Sequence, residues 1–178
     1  MNTSTFYSIL HPQMNIFLQR LEVALEQMPN NPKPQCKGFY LTFFNKETNY
    51  LTTEKIGIVP TEKNDKYFRF SLKKVLQTME KGETLSRNFE NDKLEQYPGA
   101  VNFQLGCTGI SGHESMVDEA GSALWPIAFN LQQNYGNDFF QNMKKSEPIF
   151  MSFVESVSRS VTIDNPWVMT LGGLIAKQ

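Results

Sequence analysis

Leu105-Gly106-Cys107-Thr108-Gly109-Ile110-Ser111-Gly112 runs straight into His113-Glu114-Ser115-Met116-Val117-Asp118-Glu119-Ala120, and the fold turns on how this stretch is read. The first half is a short apolar run closed by glycine, which reads as a buried strand. In the second half Ser115 and Asp118 stand at the spacing of a capping box, where a hydroxyl and a carboxylate satisfy the first free amides of a helix. Val117, Ala120, Leu124, Ile127, Ala128 and Leu131 then recur at helical intervals, so a helix opens here. Pro126 falls inside that stripe and predicts a kink or a split, because its ring removes one helical hydrogen bond. Just upstream, Ala100-Val101-Asn102-Phe103 is a second apolar piece, placed to pair with residues 105–111 as a neighbouring strand.

Working outward toward the N-terminus, Met14, Phe17, Leu18, Leu21, Leu25 and Met28 form one stripe of an amphipathic helix over residues 12–28, started by Pro12 and stopped by Pro29. Residues 30–37 are a loop. Residues 39–44 and 50–58 predict an antiparallel hairpin central to the sheet, with Phe39, Leu41 and Phe43 facing the core. A helix follows from an Asp65 N-cap to Lys81, ended by Gly82. Its expected buried face is Phe68, Leu72, Val75, Leu76 and Met79, with Lys66, Arg69, Lys73 and Lys74 on the other sides. Residues 84–97 are polar and irregular. Toward the C-terminus a helix is expected near residues 148–160, with Phe150, Phe153, Val154 and Val157 on one face, followed by an apolar arm over 167–176. This order predicts an α+β fold on an antiparallel sheet of roughly four to five strands. The division expected is an α+β domain over residues 1–133 and a helical extension over 134–178.

Composition narrows the function. The chain has 178 residues, 17 Lys+Arg against 18 Asp+Glu, and a net charge of −1 at pH 7. That balance offers no general attraction to nucleic acid or to an anionic membrane, and neither is an expected partner. Two cysteines cannot form a disulfide framework, and no Cys/His spacing suits zinc, so no metal site is expected. Residues 1–5 lack the basic start of a secretory leader, and charged residues interrupt every apolar run; a cytoplasmic protein is the expectation. G-x-S-x-G, H-E-x-x-H and P-loop patterns do not occur, and two histidines leave few ways to build a base-assisted nucleophile. No catalytic residue is assigned.

The run from Leu105 to Ala120 resembles the signature of the GlcG/HbpS family, also called the haem-degrading domain family. That signature is roughly G-x-x-G-V-S-G, a short turn, then D-E-A opening a long helix. Pro98-Gly99-Ala100-Val101 is similar to the family's P-G-G-V element, and residues 67–77 with Lys74 stand where it has an S-I-D-x-A-x-x-K-A helix. The resemblance covers about residues 12–131. Only Phe103 and Gln104 separate the two signature pieces, where the family carries a longer hairpin. The resemblance implies a profilin-like α-β-α layering and a homo-oligomer. It also implies binding of a small ligand, with haem the cofactor to consider, in a binding or accessory protein more than an enzyme. A scaffold that has lost its ligand site and a small-metabolite lyase or degradative enzyme are the alternatives.

The ligand-binding candidates are Gly109, Ser111, Gly112, His113, Asp118, Glu119 and Lys74. The glycines permit close backbone approach, and free amides at the helix start attract an anion. With a plainer role, they let a strand pack under a helix while Asp118 and Glu119 complement the helix dipole. The Gly109–Gly112 turn is expected to be backbone-constrained, with strain for any side chain at Gly112 if that residue adopts a positive φ. His113 is either a haem-iron ligand or acid/base, paired with Asp118 or Glu119, or simply a loop histidine in water. Lys73 and Lys74 with Arg69 either bind propionates or phosphates or form a solvated helix face. Cys107 is read as a small buried hydrophobe; His11 is a weaker candidate than His113. The arm over 167–176 is too apolar for water and must dock on its own domain or on a second subunit, a homodimer burying Trp167 being the expectation.

Overall fold

A computed structural model describes the backbone of residues 3–178 and the side chains of residues 14–178. The expected hairpin is present as β1 (Lys37–Asn45) and β2 (Tyr50–Ile58). Asn45 holds its turn by accepting the amide N–H groups of Glu47 and Thr48 at 2.9 and 3.1 Å, an Asx arrangement that suits asparagine at this place. The second pair is β3 (Ala100–Phe103) and β4 (Gly106–Ser111), joined by a tight turn. The four strands lie in the order β2-β1-β4-β3, antiparallel throughout. β1 and β4 therefore form the centre, and β2, expected to share it, is an edge.

Helix α1 (Thr3–Gln27) begins well ahead of the Pro12 start expected for it. From Met14 onward its stripe is buried as read: Phe17, Leu21 and Leu25 are in the core. The side chains of residues 3–13, His11 among them, lie outside the described residues. Helices α2 (Asn64–Lys81) and α3 (Ser115–Tyr135) cover opposite faces of the sheet, α2 on one side and α3 with α1 on the other. Gly82, in the left-handed conformation at φ 66°, ends α2 as expected. Pro126 does not split α3, which runs on for two further turns. An interior proline costs about 3 kcal/mol through the lost hydrogen bond and the ring clash together, and burial of Leu124, Trp125, Ile127, Ala128 and Leu131 around it outweighs that.

The buried face of α2 differs from the one its apolar residues predict. Of Phe68, Leu72, Val75, Leu76 and Met79, Val75 alone is buried, and Phe68 and Leu76 are 42% and 46% exposed. The face against the sheet is Ser71, Lys74, Val75 and Thr78. This is possible because each polar group has a partner: the Thr42 hydroxyl donates to Ser71 at 2.9 Å, and Thr78 donates to the Lys74 carbonyl at 2.6 Å. Gly109 brings the helix close, since a Cβ there would lie 2.8 Å from Val75 and 3.0 Å from the Ser71 carbonyl.

The C-terminal third is helical. α4 (Met143–Ser158) starts earlier than expected, and Phe150 and Val154 are buried while Phe153 is exposed. The apolar arm is helix α5 (Trp167–Ala176), and it docks on α1, α3 and α4 of its own chain. Val168, Leu171, Ile175 and Ala176 enter one core continuous with that of α1, α3 and the sheet, and Trp167 is half-buried against it. Arg20 fastens the join by donating to the carbonyls of Ile175 and Phe140 at 3.2 and 3.0 Å. The surface that motivated a homodimer is thus covered within the chain. The fold is α+β with C-terminal helices packed on the sheet's α1/α3 side.

Candidate functional site

Where β4 ends and α3 begins, the chain must turn through Gly112 and His113. A Cβ on Gly112 would lie 2.7 Å from Phe39 Cβ and 2.8 Å from the Gly38 carbonyl. Gly112 has no positive φ, so the turn is constrained there by space and not by a left-handed backbone. Glu114, rather than Ser115, caps α3, its carboxylate accepting the Met116 amide at 2.9 Å. Asp118 is thereby released from capping-box duty and turns back under the loop.

One Asp118 oxygen accepts the His113 amide at 2.9 Å, and the other lies 3.1 Å from Lys74 Nζ. Lys74, which the residue pattern placed on a helix surface, is 5% exposed and donates also to the Ile110 carbonyl at 2.8 Å. A lysine buried from water must have its charge matched, and this one reaches around the end of the sheet from α2 to α3 to find that match. Gly99 makes the room: it sits at φ 125°, a region few side chains enter, and a Cβ there would collide with Lys74 Nζ. Gly99 was legible within the Pro98-Gly99-Ala100-Val101 element but not as part of this pair.

His113 is buried, 5% exposed, with its ring tilted against Phe39 at 6.1 Å, which overturns its reading as a loop histidine in water. Its Nδ1 is fully enclosed without a hydrogen-bond partner. Burial, reinforced by nearby Lys33, holds the imidazole below its ordinary pKa against the pull of Asp118, so the ring is neutral near pH 7.

Lys74, Ser111, Gly112, His113 and Asp118 share one wall of a pocket of about 410 Å³. The other walls come from residues the sequence did not single out as site residues: Lys33, Gln35 and Cys36 of the loop before β1, Lys63, Lys66, Tyr67 and Phe70 at the start of α2, and Tyr97. The loop is held in place by Asn31, which donates to the Leu25 carbonyl and accepts the Lys33 amide, both at 2.9 Å. Lys33 Nζ then reaches the His113 carbonyl at 3.0 Å. The Tyr67 phenol is pushed up to about 12, by burial first and the neighbouring Cys36 next, so it stays protonated. Four lysines line the pocket against a single carboxylate, Asp118, whose two oxygens are already engaged. No protein-family model, characterised protein or solved structure matches the chain.

Two of the candidates fall elsewhere. Gly109 lies beneath α2, in contact with Val75. Glu119 points away from the pocket: it is fully buried, accepts from Asn165 at 3.1 Å, and lies 3.5 Å from Arg87. Arg87 in turn donates to the Asp164 carbonyl at 3.0 Å, and Asn165 to that of Met116 at 2.8 Å. This cluster ties the segment before α5 onto α3. Burial pushes the Glu119 carboxyl up, with Asn165 and Arg87 opposing. Cys107 is the buried hydrophobe expected, its thiol pushed up to about 12 by desolvation. Among the described residues no group of three or more His, Cys, Asp or Glu side chains is placed to hold a metal ion, and no helix is long and apolar enough to cross a membrane.

Proposed function

We propose that the chain binds a small anionic molecule in the lysine-lined pocket between α2, the loop before β1 and the start of α3. The observation that carries this reading is the charge imbalance of the lining: Lys33, Lys63, Lys66 and Lys74 against Asp118 alone, with Asp118 matched to Lys74. Three cations around one concavity, with no second carboxylate among the described lining residues, favour a negative guest. The size of the pocket is in the range of small-ligand sites, about 300–1,000 Å³.

Haem fits these residues poorly. A tetrapyrrole needs broad apolar walls, and the lining offers only Tyr67, Phe70 and Tyr97 among polar and charged groups. Its iron would need an open histidine nitrogen, whereas His113, though on the pocket wall, is 5% exposed and its Nδ1 is fully enclosed. Binding is favoured over catalysis because the one acid/base pair on offer is dismantled. Asp118 is committed to Lys74 and to the His113 backbone, and Glu119 faces the other way. Binding is favoured over a scaffold without a site because the pocket persists. A reduced, cytoplasmic setting belongs to this reading, supported by two free cysteines, Cys36 and Cys107. Membership of the GlcG/HbpS family and a homo-oligomer belong to it on the signature resemblance.

The test is a thermal-shift series on the full chain with phosphate, citrate, benzoate and a neutral control such as glycerol. Saturating anion raises the melting temperature by mass action, and the double variant Lys63→Met/Lys66→Met loses that rise. Stabilisation by glycerol alone, or an undiminished rise in the double variant, refutes the reading.

A further inference from the structure

We propose that the guest of this pocket is a phosphate ester carried on a flat ring, its phosphate among Lys33, Lys63 and Lys66 and its ring against Phe70 and Tyr97. The inference rests on the anion-pocket reading above and narrows it.

The charge count points past a simple carboxylate. After Asp118 is paired with Lys74, three lysines remain, and a single negative charge would leave two of them uncompensated around one cavity. A phosphate monoester carries close to two negative charges at neutral pH and several acceptor oxygens, enough to engage ammonium groups arriving from different elements. Lys33 comes from the loop before β1, Lys63 and Lys66 from the start of α2. Lys33 spends one of its three hydrogens on the His113 carbonyl and keeps two for a guest.

An aromatic part of the wall adjoins the cations. Phe70 and Tyr97 pack with centroids 5.1 Å apart at 43°, and Lys66 Nζ stands 5.5 Å from the Phe70 centroid. Cation and ring surface therefore meet at one place, which suits a guest whose charge is attached directly to a flat ring. This wall is preset. Lys73 anchors the segment bearing Tyr97 by donating to the Leu94 carbonyl and to Glu95, both at 3.1 Å. The pocket's 410 Å³ corresponds to on the order of a dozen waters at about 30 Å³ each, the scale of a monocyclic or bicyclic phosphate rather than of a macrocycle.

The experiment is isothermal titration of the full chain at about pH 8, where the ester is dianionic, with three probes: phenyl phosphate, inorganic phosphate and benzoate. Phenyl phosphate should bind at least about tenfold tighter than either of the others. Tyr97→Ala should bring phenyl phosphate down to the level of inorganic phosphate while leaving inorganic phosphate unchanged. Lys63→Met should weaken both phosphates and barely affect any ring contribution. Each variant is checked for a wild-type-like circular dichroism melt, and Tyr97→Leu replaces Tyr97→Ala should the latter melt early. Benzoate binding as tightly as phenyl phosphate, or an unchanged phenyl phosphate to phosphate ratio in the Tyr97 variant, overturns this inference and leaves the anion pocket standing. Failure of all three probes to bind overturns both.

Discussion

Lys74 and Asp118 answer to each other, and the consequence is measurable. Asp118→Ala strands an ammonium group away from water and also frees the His113 amide, so it should cost about 3–5 kcal/mol in urea unfolding. Lys74→Met alone should cost less, because the His113 amide still supports the carboxylate. The double variant Lys74→Met/Asp118→Leu should lose less than the sum of the singles, the sign of direct coupling. Additive losses would mean that the two side chains do not share a pair. Two of the buried titratable groups, His113 and Glu119, give opposite pH trends. The unfolded chain takes up a proton at His113 near 6.5 while the folded ring, with its lowered pKa, does not; stability therefore falls as pH drops below about 6.5. Glu119, raised by burial, keeps its proton in the folded chain above the ordinary 4.5, so stability falls as pH rises from there. His113→Asn should flatten the first gradient and Glu119→Gln the second, in unfolding free energies measured across that range. At this scale the sequence was partly readable. Residue types and spacing marked His113, Asp118 and Lys74, but adjacent positions 118 and 119 read alike and point to opposite sides of α3. Lys33 and Lys63 were illegible as site residues, because only the folded chain brings the loop before β1 to the start of α2.

Among the elements, the central strands were the most legible. Alternation at Phe39, Leu41 and Phe43 matches a face 2% exposed or less, and Phe43 packs on Phe103, Trp125 and Phe129. Phe43→Asp should therefore abolish cooperative unfolding, by burying a charge with no partner; a wild-type-like melt would mean that strand faces the other way. Gly112→Ala should cost about 1–3 kcal/mol by overpacking against Phe39 and the Gly38 carbonyl. A neutral result would show that the β4–α3 turn can relax outward. Helix α2 was misread because periodicity counts apolar residues, while its inner face is chosen by hydrogen bonding. Ser71 meets Thr42 on the sheet face and Thr78 turns back to the Lys74 carbonyl of its own helix, whereas Phe68 and Leu76 stay in water. A polar sheet face recruits a polar helix face, and no single-helix pattern reveals what it will meet.

For the molecule as a whole, the C-terminal helices are structural members of the core. Removing the chain from Asp164 onward would expose what Val168, Leu171 and Ile175 cover, and would leave Glu119 without Asn165. The truncated protein should bind a hydrophobic dye and lose its sharp thermal transition; retention of a native melt would make the α5 contact dispensable. The arrangement of layers also sets a clock. Among the described residues four α-helices pack on or beyond one side of the sheet, and α2 is the one α-helix on the other. Backbone amides under a single, partly polar helix exchange through openings that need not disturb the main core. In deuterium exchange the amides of α2 should therefore label before those of α1, α3 and α5. The same openings loosen the wall made by Lys63, Lys66, Tyr67 and Phe70, so the guest we propose would leave no more slowly than this thin side breathes, however tightly the thick side is built.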